Sequence, residues 1–330
     1  MGKIHLTLAC WDYDRTRALQ EGKVEVEGVE LTYLPLRVEE TFWRMLRHQE
    51  FDAAELSMGS YMVSRDKGHP PLIAIPVFPS RAFRHSCIYI NTDSGIKEPR
   101  DLIGKRVGVA EYQITMAIWA RGILQHEYGV RPESMKWFTG GEEQPGRVDK
   151  VKHDLPPGID ICPIGPEQTL SSMLESGEID AMMSAHIPLS FVQRSPKVRR
   201  LIPNFREVEK DYYRRTKILP IMHTLALRQE TYEKYPWVAQ SLFKAFSEAK
   251  RLCQESMYEF SALKYMLAWS IAEMEEEREI FGEDLWPYGL EANRHVLETL
   301  VQYAHEQGLI KKKVDLKSLF APSTLEDFKI

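Results

Sequence analysis

Through the first part of the chain, apolar runs of strand length alternate with segments of helical spacing. Residues 4–10 alternate apolar and polar positions and predict a strand, as do 29–34 and 51–56. The runs 72–78 and 86–91 are more continuously apolar, as expected of strands buried on both faces. Between them, helices are predicted at 14–20, behind Asp12 or Asp14 as N-cap, at 39–48 and at 57–65. That order describes a βαβ-type unit with a mostly parallel sheet.

A second unit is expected from residue 98. A turn at 99–104 leads into a strand ending at Val109; a helix at 112–128, a strand at 135–138, a helix at 167–176, a strand at 179–184 and a short helix at 188–194 follow. Residues 140–158 are rich in Gly, Pro and charge and read as a loop. Beyond a strand at 218–227 the pattern becomes helical, with long segments near 237–253, 257–281 and 289–307. Met257, Phe260, Leu263, Leu267 and Ile271 recur at helical spacing and are expected in the core. The domain reading is 1–97 for the first part of lobe one, 98–200 for lobe two, and 201–330 for a return to lobe one plus C-terminal helices.

Composition narrows the function classes. The 330 residues, 43% of them hydrophobic, are enough for two domains or one large one. A net charge of -5 leaves no basic footprint, so no nucleic-acid partner is expected. No apolar run is long enough to span a membrane, and 1–10 lacks the apolar block of a signal peptide, so a cytoplasmic protein without a membrane partner is expected. Cys10, Cys87, Cys162 and Cys253 are scattered without metal or redox spacing and read as reduced thiols.

The segment Pro79-Ser80-Arg81-Ala82-Phe83-Arg84-His85-Ser86 packs two guanidinium groups, an imidazole and two hydroxyls between two predicted buried strands. Arginine forks match carboxylates in bidentate fashion, and a histidine beside them moves protons near neutral pH. A charged surface connection is the plain alternative.

Two segments resemble type II periplasmic-binding-protein-like domains: 98–109, with Pro99, Gly104 and Gly108, and Leu174-Glu175-Ser176-Gly177-Glu178-Ile179-Asp180-Ala181. Within that superfamily the chain resembles the 4,5-dihydroxyphthalate decarboxylases. The matching segments are 79–86, Glu111-Tyr112-Gln113-Ile114-Thr115, Ile218-Leu219-Pro220-Ile221-Met222-His223-Thr224, Gly282-Glu283-Asp284-Leu285-Trp286-Pro287-Tyr288-Gly289 and Leu319-Phe320-Ala321-Pro322. The resemblance implies an α/β fold of two βαβ lobes around a central cleft with a helical C-terminal region. It also implies a cytoplasmic decarboxylase that needs no cofactor or metal and acts on a small aromatic dicarboxylate.

Such chemistry needs a cationic clamp, a group to manage a phenol proton and an acid for the ring carbon. Arg81 and Arg84 are the clamp candidates, with Ser80 beside them. His85 leads as acid–base group, and His223, where an apolar strand turns polar, is a second. Glu111, expected at a helix N-terminus, would orient a histidine or accept a catechol hydroxyl. Asp12, Arg15, Ser57, Thr115 and His186 are further candidates for substrate contact. Capping, core packing or a surface ion pair is the competing explanation for each. The turn Trp286-Pro287-Tyr288 is expected either to cover the cleft or to contact a second copy of the chain. Three other readings stay open: a decarboxylase for another hydroxylated aromatic acid, a small-acid binding protein without catalysis, and a metal-assisted site built from Asp12, His85, Glu111 and His223.

Overall fold

The computed structural model describes residues 2–151, 158–259 and 261–325, in two compact units. The first comprises 1–81, 221–297 and 314–330; the second comprises 82–220 and 298–313.

The first unit is built on a five-stranded sheet. Its strands are β1 (Ile4–Ala9), β2 (Val29–Leu34), β3 (Ala53–Ser57), β4 (Leu72–Ile75) and β11 (His223–Arg228), in the order β2-β1-β3-β11-β4. β1 runs parallel to β2 and β3, but β11 is antiparallel to both its neighbours, so the sheet is mixed rather than mostly parallel. The returning chain inserts β11 between β3 and β4, which makes β3 an interior strand: all five of its residues are buried. Leu6, Leu8, Ile73, Ile75, Leu225 and Leu227 pack with Val238, Leu242 and Phe246 of the Trp237–Met257 helix to form this unit's core. Near the C-terminus Phe320 bridges to Ala74, and the Ala321 N–H donates to the Ala74 carbonyl.

The second unit carries six strands: β5 (Ile88–Asn91), β6 (Arg106–Val109), β7 (Lys136–Thr139), β8 (Asp160–Pro163), β9 (Ala181–Met183) and β10 (Val198–Arg200), in the order β10-β5-β9-β6-β7-β8. β9, β6, β7 and β8 run parallel, while β5 and β10 pair antiparallel at one side. Tyr89, Leu170, Leu174, Ile179 and Met182 form a core cluster of this unit.

Several expectations need correction. The division falls between Arg81 and Ala82 rather than at 97, because β5 pairs with β9 and β10; it falls between Pro220 and Ile221 rather than at 200. The run 72–78 forms a strand only to Ile75, since Pro76 has no N–H for a ladder. The 3-10 turn at Asp14–Thr16 has Tyr13 at its N-cap without a side-chain cap bond, so neither Asp12 nor Asp14 caps it. Two strands, β8 and β10, and the Phe205–Thr216 helix lay in stretches without a clear apolar period. The largest correction concerns 257–271. The helix ends at Met257 and the next begins at Ser270; between them Leu263 is 50% exposed, Met266 is fully exposed and Trp269 is 76% exposed. Apolar spacing reports a stripe only where the backbone stays helical, and here turns break it. Phe260 lies outside the described residues, as does 152–157 of the expected loop.

No helix among the described residues is long and apolar enough to cross a membrane. All four cysteines are free thiols, with Cys162 exposed and the others buried.

Candidate active site

In the first unit the chemistry collects around a buried carboxylate. Glu55 lies mid-strand in β3 among apolar neighbours and is fully buried. β11 runs antiparallel to β3 with His223 opposite Ser57, so His223 is diagonal to Glu55 on one face of the sheet. Its Nδ1 lies 2.6 Å from Glu55 Oε1. The Tyr13 hydroxyl donates to the same oxygen at 2.6 Å and lies 3.4 Å from His223 Nδ1. Oε2 accepts from the Trp11 N–H at 3.0 Å and faces the Cys10 thiol at 3.6 Å. The segment after β1 is thereby tied to β3 by one side chain.

Burial alone would push the Glu55 carboxyl up; the charge and hydrogen bond of His223, with the Tyr13 and Trp11 donors, outweigh it and hold it below its ordinary value. Burial and the Glu55 charge push the Tyr13 hydroxyl well above its ordinary value, so it stays protonated. The Phe42 and His223 rings meet in a T-shaped contact with centres 4.9 Å apart. The His223 side chain keeps 16% of its exposure, against none for Glu55.

Arg15 adjoins this cluster. Its guanidinium lies 4.0 Å from the Tyr13 ring centre and 4.5 Å from that of Trp286. Nε donates to the Pro79 carbonyl at 2.6 Å and Nη1 to Asp14 at 3.0 Å, holding the fork in place. The neighbouring cavity of about 210 Å³ is lined by Arg15, Trp286, Lys250 and Met257 among others, but by no histidine.

The other candidates of this unit have different surroundings. Arg81 is buried, and its Nη2 donates to the Pro287 carbonyl at 2.7 Å and to the Asn293 side chain, fastening the 287–293 turn. Trp286 Nε1 donates to the Phe78 carbonyl, so the Trp-Pro-Tyr turn packs within its own unit. The Ser80 carbonyl accepts from the Met222 N–H. Ser57 caps the Met58–Lys67 helix through the Ser60 N–H. Asp12 pairs with Arg17 at 2.9 Å on the surface.

In the second unit Glu111 is fully buried and saturated. Arg147 Nη2 lies at 2.6 Å, Lys150 Nζ at 2.5 Å, the Lys150 N–H at 2.9 Å and Gln113 Nε2 at 2.7 Å. Burial pushes its carboxyl up, but Lys150 and Arg147 hold it below the usual range. It precedes the Thr115–Tyr128 helix by four positions, so it fastens the loop after β7 rather than sitting at the helix N-terminus; Thr115 is buried in the first turn. His85 is enclosed, with 1% of its side chain exposed, against the Tyr212 ring and 3.9 Å from Glu209. Burial pushes its ring down to about 4, so it is neutral at pH 7. Burial likewise pushes the Glu209 carboxyl up to about 7 against the pull of the Ser86 N–H. Arg84 is half-buried, its carbonyl accepting from Cys87 Sγ. His186 is exposed, and its N–H donates to Ser184 Oγ at 3.0 Å.

The structure thus brings Arg15 and His223 into one cluster and places His85, Arg84, Glu111, Thr115 and His186 in the other unit. Among the described residues no group of three or more His, Cys, Asp or Glu is placed to hold a metal ion. Glu55 and Tyr13 were missed from sequence. The available signal was a lone acid inside an apolar strand, a residue type that is rarely buried without a partner.

Residues 19–147 match the family model of phosphonate ABC-transporter periplasmic substrate-binding proteins. A 4,5-dihydroxyphthalate decarboxylase from Comamonas testosteroni is 38% identical over 330 residues, the whole of both chains. One from Pseudomonas putida is 42% identical over 214 residues, covering 65% of this chain and 83% of the relative. Among solved structures, the periplasmic aliphatic sulphonate binding protein SsuA from Escherichia coli superposes with a TM-score of 0.56 at 14% identity, over 98% of this chain and 99% of the other. The desulfurization enzyme DSZB gives 0.53 at 14% identity, over 98% and 97%. The fold is therefore periplasmic-binding-protein-like, an architecture shared by receptors and an enzyme, and only the sequence relatives speak to chemistry.

Proposed function

The chain belongs to the 4,5-dihydroxyphthalate decarboxylase family of carboxy-lyases, and from that membership we propose that it removes one carboxylate from 4,5-dihydroxyphthalate to give 3,4-dihydroxybenzoate. Direct loss of CO₂ from an aryl carboxylate would leave an in-plane lone pair that the π system cannot stabilise. A hydroxyl para to the carboxylate opens a lower route. As the phenol gives up its proton, the carbon bearing the carboxylate becomes basic and takes a proton, forming a dienone. The C–CO₂ bond then breaks, its electron pair restores the aromatic ring as a phenolate, and the phenolate takes up a proton. The ring itself is the electron sink, so the route needs neither a metal nor a redox cofactor.

The observation that carries this reading is the partly exposed His223 ring held beside Tyr13 and the Arg15 guanidinium. In this reading His223 delivers the proton to carbon, a role worth roughly 10²–10⁴-fold in rate. Arg15 holds the spectator carboxylate; it takes the clamp role expected of Arg81, whose guanidinium binds the 287–293 turn. A grip on the departing carboxylate would stabilise the ground state and gain nothing in kcat.

The test is turnover of 4,5-dihydroxyphthalate by the purified protein in deuterated water, followed by CO₂ release and by proton NMR. The expected product carries one deuterium at the vacated ring carbon. Ligand that binds and is never consumed would make the chain a receptor. Turnover that appears only after a metal or nucleotide is supplied would sink the cofactor-free route.

A further inference from the structure

We propose that Glu55 is a positioning residue that fixes the tautomer of His223, keeping the Nδ1 proton in place and Nε2 as the only nitrogen that exchanges a proton with substrate. The inference rests on the proposed role of His223 and assigns how that role is enforced.

The argument is one of donors and acceptors. An ionised carboxylate only accepts. Glu55 Oε1 lies 2.6 Å from both the Tyr13 hydroxyl and His223 Nδ1, and Oε2 lies 3.0 Å from the Trp11 N–H. A bare Nδ1 lone pair at 2.6 Å from a carboxylate oxygen would be repelled, so Nδ1 carries a proton. Tyr13 spends its own proton on the same oxygen, so it cannot supply one to Nδ1. A flip of the ring would bring the Cδ2 carbon, not Nε2, against Glu55 and forfeit this bond, so Nδ1 stays on the carboxylate. Nε2 is left to gain and lose the proton that moves.

The geometry also dictates the result of replacing the carboxylate by an amide. In Glu55→Gln the side chain must still accept from the Trp11 N–H, which is only a donor, so the amide oxygen takes that side. The amide NH₂ is then forced toward Tyr13 and His223, both of which can accept. Nδ1 must present its lone pair, and the ring proton moves to Nε2. The same atoms remain, in the same places, with the wrong nitrogen free.

Nitrogen-15 correlation spectra of the histidine rings, recorded without substrate, read this directly. Wild type should show a proton on His223 Nδ1, and Glu55→Gln a neutral ring protonated on Nε2. In turnover assays Glu55→Gln should lose kcat roughly 10²–10⁴-fold while its affinity for a non-reactive phthalate changes less than about threefold. Tyr13→Phe keeps the Glu55–His223 bond, so it should keep the wild-type tautomer and lose less than about tenfold in kcat. A wild-type His223 protonated only on Nε2 overturns the proposal whether or not the variant folds. So does a folded Glu55→Gln with unchanged kcat, or one in which binding and turnover fall together as a loosened scaffold would make them. If the tautomer changes as expected but wild type leaves 4,5-dihydroxyphthalate untouched, the positioning stands and the substrate assignment fails.

Discussion

Glu55 and Glu111 are two fully buried carboxylates with opposite surroundings. Glu111 faces the basic side chains of Arg147 and Lys150, together with the Gln113 amide. Glu55 faces a histidine, a phenol, a thiol and one N–H, and its closest ring keeps contact with solvent. Both are held below the ordinary carboxylate range, so the sign of the shift does not separate them. What separates them is the kind of partner. A carboxylate held by the basic side chains of a loop fastens that loop; one held by an imidazole controls where a proton sits.

That contrast fails or sharpens under substitution. Glu111→Ala leaves Lys150 and Arg147 beside an emptied site, and stability should fall by about 3–5 kcal/mol, read by denaturant unfolding. The folded fraction should keep its kcat; a large kcat loss without destabilisation would put Glu111 back in the chemistry. His223→Ala should instead act on both, lowering kcat roughly 10²–10⁴-fold and costing about 1–3 kcal/mol of stability because buried Glu55 loses its partner, measured by steady-state kinetics and thermal melting. A near-normal kcat would remove His223 from proton transfer. Arg15→Ala should raise KM about 30-fold, and Arg15→Lys should recover only part, since an ammonium keeps the charge without the fork. Unchanged kinetics would move the clamp elsewhere.

Glu209 extends the comparison to a buried carboxyl for which burial outweighs the Ser86 and His85 N–H groups and the Arg84 charge. Its proton is held to about 7 when folded, against an ordinary 4.5, so its contribution to stability is full below 4.5 and is lost as pH rises through 7. His85 runs the other way. It is held to about 4 against an ordinary 6.5, so its contribution is present above 6.5 and is lost as pH falls through 4. The two slopes oppose each other between 4.5 and 6.5. In Glu209→Gln only the His85 slope should remain, and stability at pH 8 should rise on the order of 2 kcal/mol over wild type. Urea unfolding across pH 4–8 checks this; a variant that still loses stability as pH rises from 4.5 to 7 would contradict it. The smallest effect belongs to Asp12→Asn. Its pair with Arg17 is exposed, so stability should shift by less than about 0.5 kcal/mol, and KM should stay put. A KM change would return Asp12 to the substrate site.

How much of this was legible varies with the range of the contact. Val29–Leu34 was readable to the residue, because alternation and its flanking Gly and Pro are local signals. The exposed 261–269 stretch was misread for the same reason, since spacing cannot tell a helix from turns that carry the same residues. The family was legible from motifs spread over the chain, and Arg15 and His223 were candidates from the segments they stand in; their roles are the proposal made above. The partners that give His223 its role were not. Glu55 lies 168 positions earlier and Tyr13 lies 210.

Length, apolar pattern and motifs by themselves determined a two-unit α/β chain of the periplasmic-binding-protein kind and pointed to aromatic decarboxylation. Only the tertiary structure decided which of its charged residues bind each other. The return of β11 as an antiparallel strand between β3 and β4 sets the register that places His223 diagonal to Glu55. A shift of one residue would turn His223 to the other face of the sheet. Side-chain chemistry is written in the residues, but burial and partnership arise from contacts between distant segments. That is why the same sequence presents Glu111 as a fastened structural charge and Glu55 as the carboxylate that holds a proton in place.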